Sequence, residues 1–274
     1  MPELPDVEAL RQYLQATSLH QEIEDVEVRA ARLVASDEMS ERAAIQALEE
    51  ALVGRSFTST RRHGKYLLVA LDGREDKSLV LHFDMTGGLK YFEDMAEEPE
   101  YDRVLFHFAN GYHLAYQSMR KLGEVRVVDD VEAFIDEKGL GPDALDPGLD
   151  LAAFKKAVGS RRAMTKSVLM DQGTIAGIGN VYSDEILFQA RVHPRTKINK
   201  LDEKGVEVLF HAMKDVLQKG IACQAESEQF PESFIIPHRH EGGECPRCGT
   251  ELGRVQVSSR HAYYCPNCQQ KKGS

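Results

Sequence analysis

Two tight cysteine pairs near the C-terminal end, Cys245-Pro246-Arg247-Cys248 and Cys265-Pro266-Asn267-Cys268, restrict what this chain can fold into more than any other stretch. Sixteen residues lie between them. Two such pairs on knuckle-like turns present four thiolates tetrahedrally to zinc. The residues between, Gly253 to Tyr264, alternate like a hairpin. A tail this small buries little core, so metal would do the folding there. A four-sulfur set leaves no open coordination position, so Cys245, Cys248, Cys265 and Cys268 point to one structural Zn2+ and not to metal catalysis. One such pair would also suit redox chemistry, but two together argue against it. The fifth cysteine, Cys223, reads as a buried or bland thiol.

The length of 274 residues suggests two domains, and 42% hydrophobic with 28% charged residues is normal for a globular protein with real cores. No apolar run approaches the ~18 residues needed to span a bilayer. No basic-then-apolar segment opens the chain. These features predict no membrane partner and a cytoplasmic location, nucleoid-associated if DNA is the partner. The formal charge of −10 argues mildly against nucleic-acid binding, which usually needs a basic face. Net charge does not say where charges lie, however. Basic residues cluster at Arg61-Arg62-His63-Gly64-Lys65, Arg120-Lys121, Arg161-Arg162 and Arg191 to Lys197, while acids crowd Glu93 to Glu100 and Asp129 to Asp136.

The chain opens Met1-Pro2-Glu3-Leu4-Pro5-Asp6-Val7-Glu8. Removal of Met1 is expected because Pro2 is small, and it leaves a free secondary amine. Such an amine titrates near pH ~8, so a useful fraction is unprotonated at neutral pH. It can attack an aldehyde carbon and form an iminium, with Glu3 beside it to move protons. Pro5 suits the first helical position and Asp6 a first turn, followed by Val7, Leu10 and Leu14 at helical spacing. The same residues equally suit an ordinary capped helix.

Further along, Ile23 to Val34 reads as strand, and Glu41 to Leu52 as a helix closed by Gly54. Phe57 to Val128 is mostly short strands, with Asn110-Gly111 marking a tight hairpin. The first domain is therefore predicted as a β-sandwich with flanking helices. Gly139 to Gly148, rich in Gly and Pro, reads as the interdomain linker. Beyond it Leu151 to Val158, Thr165 to Met170, Val181 to Ala190 and Leu201 to Lys219 are helical in period. Asp171 to Asn180 carries three glycines, which permit close approach of another group, a phosphate at the next helix start, or simply a sharp turn.

Taken together these pieces resemble the formamidopyrimidine-DNA glycosylase / endonuclease VIII family of DNA-repair enzymes. The resemblance rests on Pro2-Glu3-Leu4-Pro5, the Lys65 strand, His82 to Gly87, the Gly139 to Leu145 linker, Gln172 to Phe188, His193-Pro194 and the zinc hairpin. It implies an α+β chain in four parts: a β-sandwich catalytic domain over residues 1–138, a linker over 139–149, a helix–two-turn–helix DNA-binding domain over 150–240, and a zinc-finger tail over 241–274. It also implies a bifunctional N-glycosylase and apurinic/apyrimidinic-site lyase of base excision repair. That enzyme would act as a monomer on double-stranded DNA containing damaged bases or abasic sites.

In such an enzyme a damaged base is turned out of the duplex. Pro2 would attack the sugar's anomeric carbon, release the base as a Schiff base forms, and cut the strand by β,δ-elimination. Glu3 would protonate the sugar oxygen. Lys65, Asn180 and Arg260 match phosphate-gripping positions of the family, Lys65 and Arg260 close to the chemistry. His82 lies in the matching DNA-facing segment. Met85, Arg120 and Leu122 match the side chains that fill the hole left by the flipped base.

Several positions depart from the family's pattern. Leu122 stands where phenylalanine is common, and Asp84 where glycine is usual. The stretch from Ile221 to Cys245 is roughly ten residues shorter than in the formamidopyrimidine branch, where it covers flipped 8-oxoguanine. A weak preference for 8-oxoguanine follows, with ring-opened purines, oxidised pyrimidines or abasic sites as better substrates. The alternative is a zinc-finger protein of the same fold that binds DNA damage without excising bases.

Overall fold

The computed structural model describes residues 2–34, 40–159 and 161–271. Met1, and with it the expected removal of that residue, lies outside the described residues. The chain forms two compact units. One holds Pro2 and Val7–Lys138; the other runs from Gly139 onward and also takes in Glu3–Asp6.

Helix α1 (Leu4–Thr17) belongs to the first unit from Val7 onward, and its Val7 and Leu14 are fully buried there. Two four-stranded antiparallel sheets follow. One contains β1 (Ile23–Val28), β5 (Gly87–Phe92), β6 (Asp102–Phe108) and β7 (His113–Ser118), in the order β1-β6-β7-β5. The other contains β2 (Phe57–His63), β3 (Tyr66–Leu71), β4 (Arg74–His82) and β8 (Glu124–Val128), in sequence order. Side chains from both sheets share one core, including Phe57, Leu67, Val69, Leu79, Leu81, Phe106 and Tyr116. Phe57 meets Phe106 edge-on at 5.8 Å, and Phe83 stacks on Tyr116 at 5.5 Å. The predicted sandwich is present, and Gly111 supplies the positive φ (+85°) of the hairpin between β6 and β7.

Helix α2 (Glu41–Leu52) has the predicted bounds. Ser40 caps it by accepting from Ala43 N–H, and Ala44, Leu48 and Leu52 form its buried stripe. Burying each of those leucines stabilises the fold by roughly 2 kcal/mol. Two expectations fail here. The strand predicted over Ile23 to Val34 ends at Val28, which pairs with Val104. The apolar residues beyond it, Leu33 and Val34, instead close the core from a 3-10 turn. The acidic stretch Asp129 to Asp136 contains a helix, α3 (Val131–Glu137), that was not predicted. Asp130 caps it by accepting two N–H groups, and Phe134 and Ile135 bury its inner side.

The second unit packs α4 (Leu151–Gly159), α5 (Thr165–Met170), α6 (Asn180–Gln189) and α7 (Glu203–Ala222) around a core of Phe154, Leu169, Ile186, Leu209, Met213 and Leu217. Leu4, from the other end of the chain, belongs to this core. Asp202 caps α7 by accepting from Gly205 N–H at 2.8 Å. The hairpin β9 (Gly253–Val257) and β10 (Arg260–Tyr264) lies against α6 through a small cluster of Phe188, Ile235, Leu252 and the buried Cys245 and Cys265. Among the described residues no helix is long and apolar enough to cross a membrane.

Candidate active site

The first four N–H groups of an α-helix have no partner within the helix. Gly179, at the N-cap of α6, has no side chain to satisfy them. Glu3 does so from 176 residues away. Its carboxylate accepts from Gly179 N–H (2.8 Å), Val181 N–H (2.8 Å) and Tyr182 N–H (3.1 Å), and the residue is only 2% exposed. Leu4 N–H donates to Gly177 O at 2.9 Å, and the Glu3 N–H donates to Asp6 Oδ2 at 2.9 Å. Burial pushes the Asp6 carboxyl up to about 6, with the Glu3 charge adding to the rise.

This seat exists because the loop is glycine-built. A Cβ on Gly179 would stand 2.4 Å from Glu3 Cδ, and one on Gly177 (φ +113°) 2.7 Å from Leu4 Cδ1. Gly220 on α7 likewise leaves room for Pro5 Cγ, which would be 2.9 Å from an added Cβ. Gln172 braces the loop, donating to Met170 O and Ile178 O and accepting from Gly177 N–H. The glycines thus serve close approach, one of the options the sequence left open. The approaching group is the chain's own N-terminal segment. An external phosphate is not expected on these three N–H groups, because an internal carboxylate already holds them.

Buried charge surrounds the middle of α6. Lys166 and Asp184 are fully buried and paired at 2.6 Å, and Lys166 also donates to Asn180 O and Ser183 Oγ. Burial pushes the Lys166 ammonium down, against the pull of Asp184. Asp184 Oδ2 further accepts from Arg239 and from Tyr263 N–H on β10. Next to it Glu185 accepts from Gln189 and Ile236 N–H, and burial pushes its carboxyl up to about 7. Sequence reasoning missed these residues. The available signal was the pair Asp184-Glu185 inside an otherwise apolar helical run.

The four predicted metal ligands come together, with all four sulfurs within 4.8 Å of one another. Sulfurs about 2.3 Å from one zinc stand about 3.8 Å apart at tetrahedral geometry. The measured separations are 3.5 Å for Cys248–Cys265, 3.6 Å for Cys248–Cys268 and 3.9 Å for Cys245–Cys268. A disulfide, at about 2.05 Å, is excluded. Gln269 locks the second knuckle, accepting from Cys265 N–H and donating to Val192 O. The residues fit one structural zinc.

The remaining predicted residues are distributed as follows. Lys65 is buried, 6% exposed, at the turn just before β3 and not within the strand. His82 ends β4 with its ring 4.7 Å from that of Tyr66, and burial holds its pKa below the usual histidine value. Met85 and Leu122 are exposed apolar residues on two adjoining loops, and Arg120 Nη1 lies 2.8 Å from Met85 Sδ. Next to Met85 in the chain, Asp84 sits at φ +45°, with Oδ2 buried and without a hydrogen bond among the described residues. In the second unit Asn180 is the first residue of α6 and Arg260 the first of β10. Arg260 is exposed and has no ion pair among the described residues.

An α+β chain with a sandwich, a helical unit whose glycine loop receives Glu3, and a four-thiolate finger defines a zinc-finger DNA-repair glycosylase. Comparison with known proteins agrees along the whole length. Residues 1–125 match the formamidopyrimidine-DNA glycosylase N-terminal domain, 140–232 its H2TH domain, and 242–271 the zinc finger found in FPG and IleRS. The chain belongs to the formamidopyrimidine-DNA glycosylase / endonuclease VIII family. The members are DNA glycosylases of base excision repair with abasic-site lyase activity, and this chain is one of them.

The formamidopyrimidine-DNA glycosylase of Pelotomaculum thermopropionicum is 33% identical over 285 residues, covering 99% of this chain and 100% of the relative. That of Streptococcus pneumoniae is 32% identical over 283 residues, with the same coverage of 99% and 100%. The wild-type Lactococcus lactis Fpg in complex with N7-benzyl-Fapy-dG-containing DNA superposes with a TM-score of 0.88 at 28% identity, covering 98% of this chain and 100% of that one. The same enzyme bound non-covalently to abasic-site DNA gives 0.85, again at 28% identity with 98% and 100% coverage. A damage binder without base excision is not favoured.

Proposed function

We propose that Pro2 is the nucleophile, acting on double-stranded DNA that contains damaged bases or abasic sites. Its amine lone pair bonds to C1′ of the damaged nucleotide, and the base leaves with the glycosidic electron pair. The sugar ring opens to an iminium as O4′ takes a proton. Loss of a C2′ proton expels the 3′ phosphate, and a second elimination expels the 5′ phosphate. Water then hydrolyses the iminium and frees Pro2. The observation that carries this reading is the seat of Glu3, which fixes the residue covalently next to the amine. A carboxylate offers about four acceptor positions. Three are filled by N–H groups, and the fourth remains for exchanging a proton with the sugar oxygen.

Lys65, Asn180 and Arg260 serve as phosphate grips, so local charge rather than the net −10 draws the backbone in. Met85, Arg120 and Leu122 enter the stack, and His82 contacts the DNA beside them. The working division is 1–138, 139–149, 150–240 and 241–274, acting as a monomer in the cytoplasm on nucleoid DNA. The stretch from Cys223 to Arg239 supports a weak 8-oxoguanine preference. It is fastened by buried Cys223, Phe230 and Ile235, by Ile236 N–H on Glu185 and by Arg239 on Asp184. So anchored, it is poorly suited to close over a flipped purine. Ring-opened purines, oxidised pyrimidines and abasic sites are the better substrates.

Borohydride trapping on an abasic duplex tests the nucleophile. A covalent adduct is expected, lost when Met1 or a tag blocks Pro2. An adduct that survives the block would refute the assignment. Steady-state excision on matched duplexes tests the preference, which strong 8-oxoguanine release opposite cytosine would refute.

A further inference from the structure

The four-thiolate cluster fastens the hairpin at Cys265 and Cys268, but Arg260 lies at the opposite end of β10. A second fastening falls between them. Tyr263 N–H donates to Asp184 Oδ2 at 3.1 Å. The same oxygen accepts from Arg239 Nη2 at 2.8 Å and Nε at 3.2 Å. The Arg239 guanidinium also lies over the Tyr263 ring, 5.3 Å from its centroid. Asp184 is 1% exposed, and its other oxygen is occupied by Lys166. Strand β10 is thus clipped to the buried face of α6, the helix whose N-terminus holds Glu3. Near the hairpin tip, Ser258 Oγ lies 3.0 Å from Ser167 Oγ on α5.

We propose that Arg239, acting through Asp184 and Tyr263, is a positioning residue that aims Arg260 at DNA phosphate. The inference rests on the phosphate-gripping role of Arg260 given above. Arg239 contributes both the fork that shares the Asp184 oxygen and the plane that covers Tyr263. A lysine supplies the charge but neither the fork nor the plane. Removing Arg239 leaves Asp184 paired with Lys166, so no buried charge is stranded. Replacing Asp184 instead would strand two cations, which makes Arg239 the better residue to change.

The test is a double-mutant cycle on the zinc-loaded full chain, reading affinity for an abasic duplex across a salt series. Arg239→Ala should weaken binding on the order of tenfold and flatten the logarithmic salt slope by up to about 0.9, the share of one phosphate contact. Zinc content should be unchanged. Arg239→Lys should fall between wild type and Arg239→Ala. In an Arg260→Ala background the further loss from Arg239→Ala should be under about twofold, because the two act as a unit. Additive losses would overturn the proposal, as would a lowered Tm with an unchanged salt slope. If Arg239→Ala yields no folded protein, Arg239→Lys carries the same cycle. Full affinity in Arg260→Ala alone would instead overturn the phosphate-grip reading, and this inference with it.

Discussion

Replacing Asp84 with glycine should stabilise the first unit. Asp84 holds φ +45°, and its Oδ2 is buried without a hydrogen-bond donor among the described residues. Relief of the left-handed backbone is worth about 1 kcal/mol. Removing a buried, unsatisfied carboxylate oxygen adds about 1–3 kcal/mol. Glycine's greater freedom in the unfolded chain costs about 0.5–1 kcal/mol. The net gain is roughly 1–3 kcal/mol, which for a unit of this size raises Tm by about 3 °C per kcal/mol. Calorimetry should resolve this, with near-ultraviolet circular dichroism of the buried Tyr116 reporting the first unit. Asp84→Asn, which tolerates the backbone but removes the charge, should recover part of the gain. A Tm that falls or stays put in Asp84→Gly would refute the reasoning, because it would mean the carboxylate has a partner. The same change should tighten DNA binding, since it removes an anion beside Met85.

Three further outcomes follow from the second unit. Chelating zinc should unfold the residues around the four cysteines and abolish DNA binding while the sandwich stays folded, a pattern that circular dichroism and limited proteolysis would separate. Gly179→Ala places a Cβ 2.4 Å from Glu3 Cδ. Borohydride trapping should then slow by roughly a hundredfold, the scale of a 1 Å misplacement, and unchanged trapping would count against the Glu3 seat. Glu185 titrates near 7 when folded, against 4.5 for the free group. A raised carboxyl binds more protons folded than unfolded in that window, so its contribution to stability is full below pH 4.5 and is lost as pH climbs through 7. Glu185→Gln should remove up to about 3 kcal/mol of that decline, visible as a shallower loss of denaturant midpoint between pH 5 and 8. Asp6 adds a smaller decline of the same sign up to about 6.

The sequence made some parts of this protein readable and hid others, for physical reasons. Cys245, Cys248, Cys265 and Cys268 were legible because metal ligation imposes a local spacing. The bounds of α2 were legible because a regular apolar stripe runs up to the closing Gly54. The glycines at Gly177 and Gly179 left close approach and a simple turn both open, since the partner that decides between them lies at the far end of the chain. The clip formed by Asp184, Arg239 and Tyr263 N–H was hidden for the same reason. Charged residues read as solvated until the fold shows what surrounds them. Helix α3 was masked by its own acids, which cap and flank it while Phe134 does the packing.

The division of the first six residues between the two units has a bearing on synthesis. Glu3 leaves the ribosome first, yet the amides that receive it, from Gly179 to Tyr182, are made more than 170 residues later. At 5–20 residues per second, that interval is roughly 10–35 s. During it the sandwich can form while the terminus beside Pro2 has nowhere to dock. On the role proposed for Pro2, the seat that aims it arrives only late in translation, and a truncated product that stops before α6 would carry the proposed nucleophile without that seat.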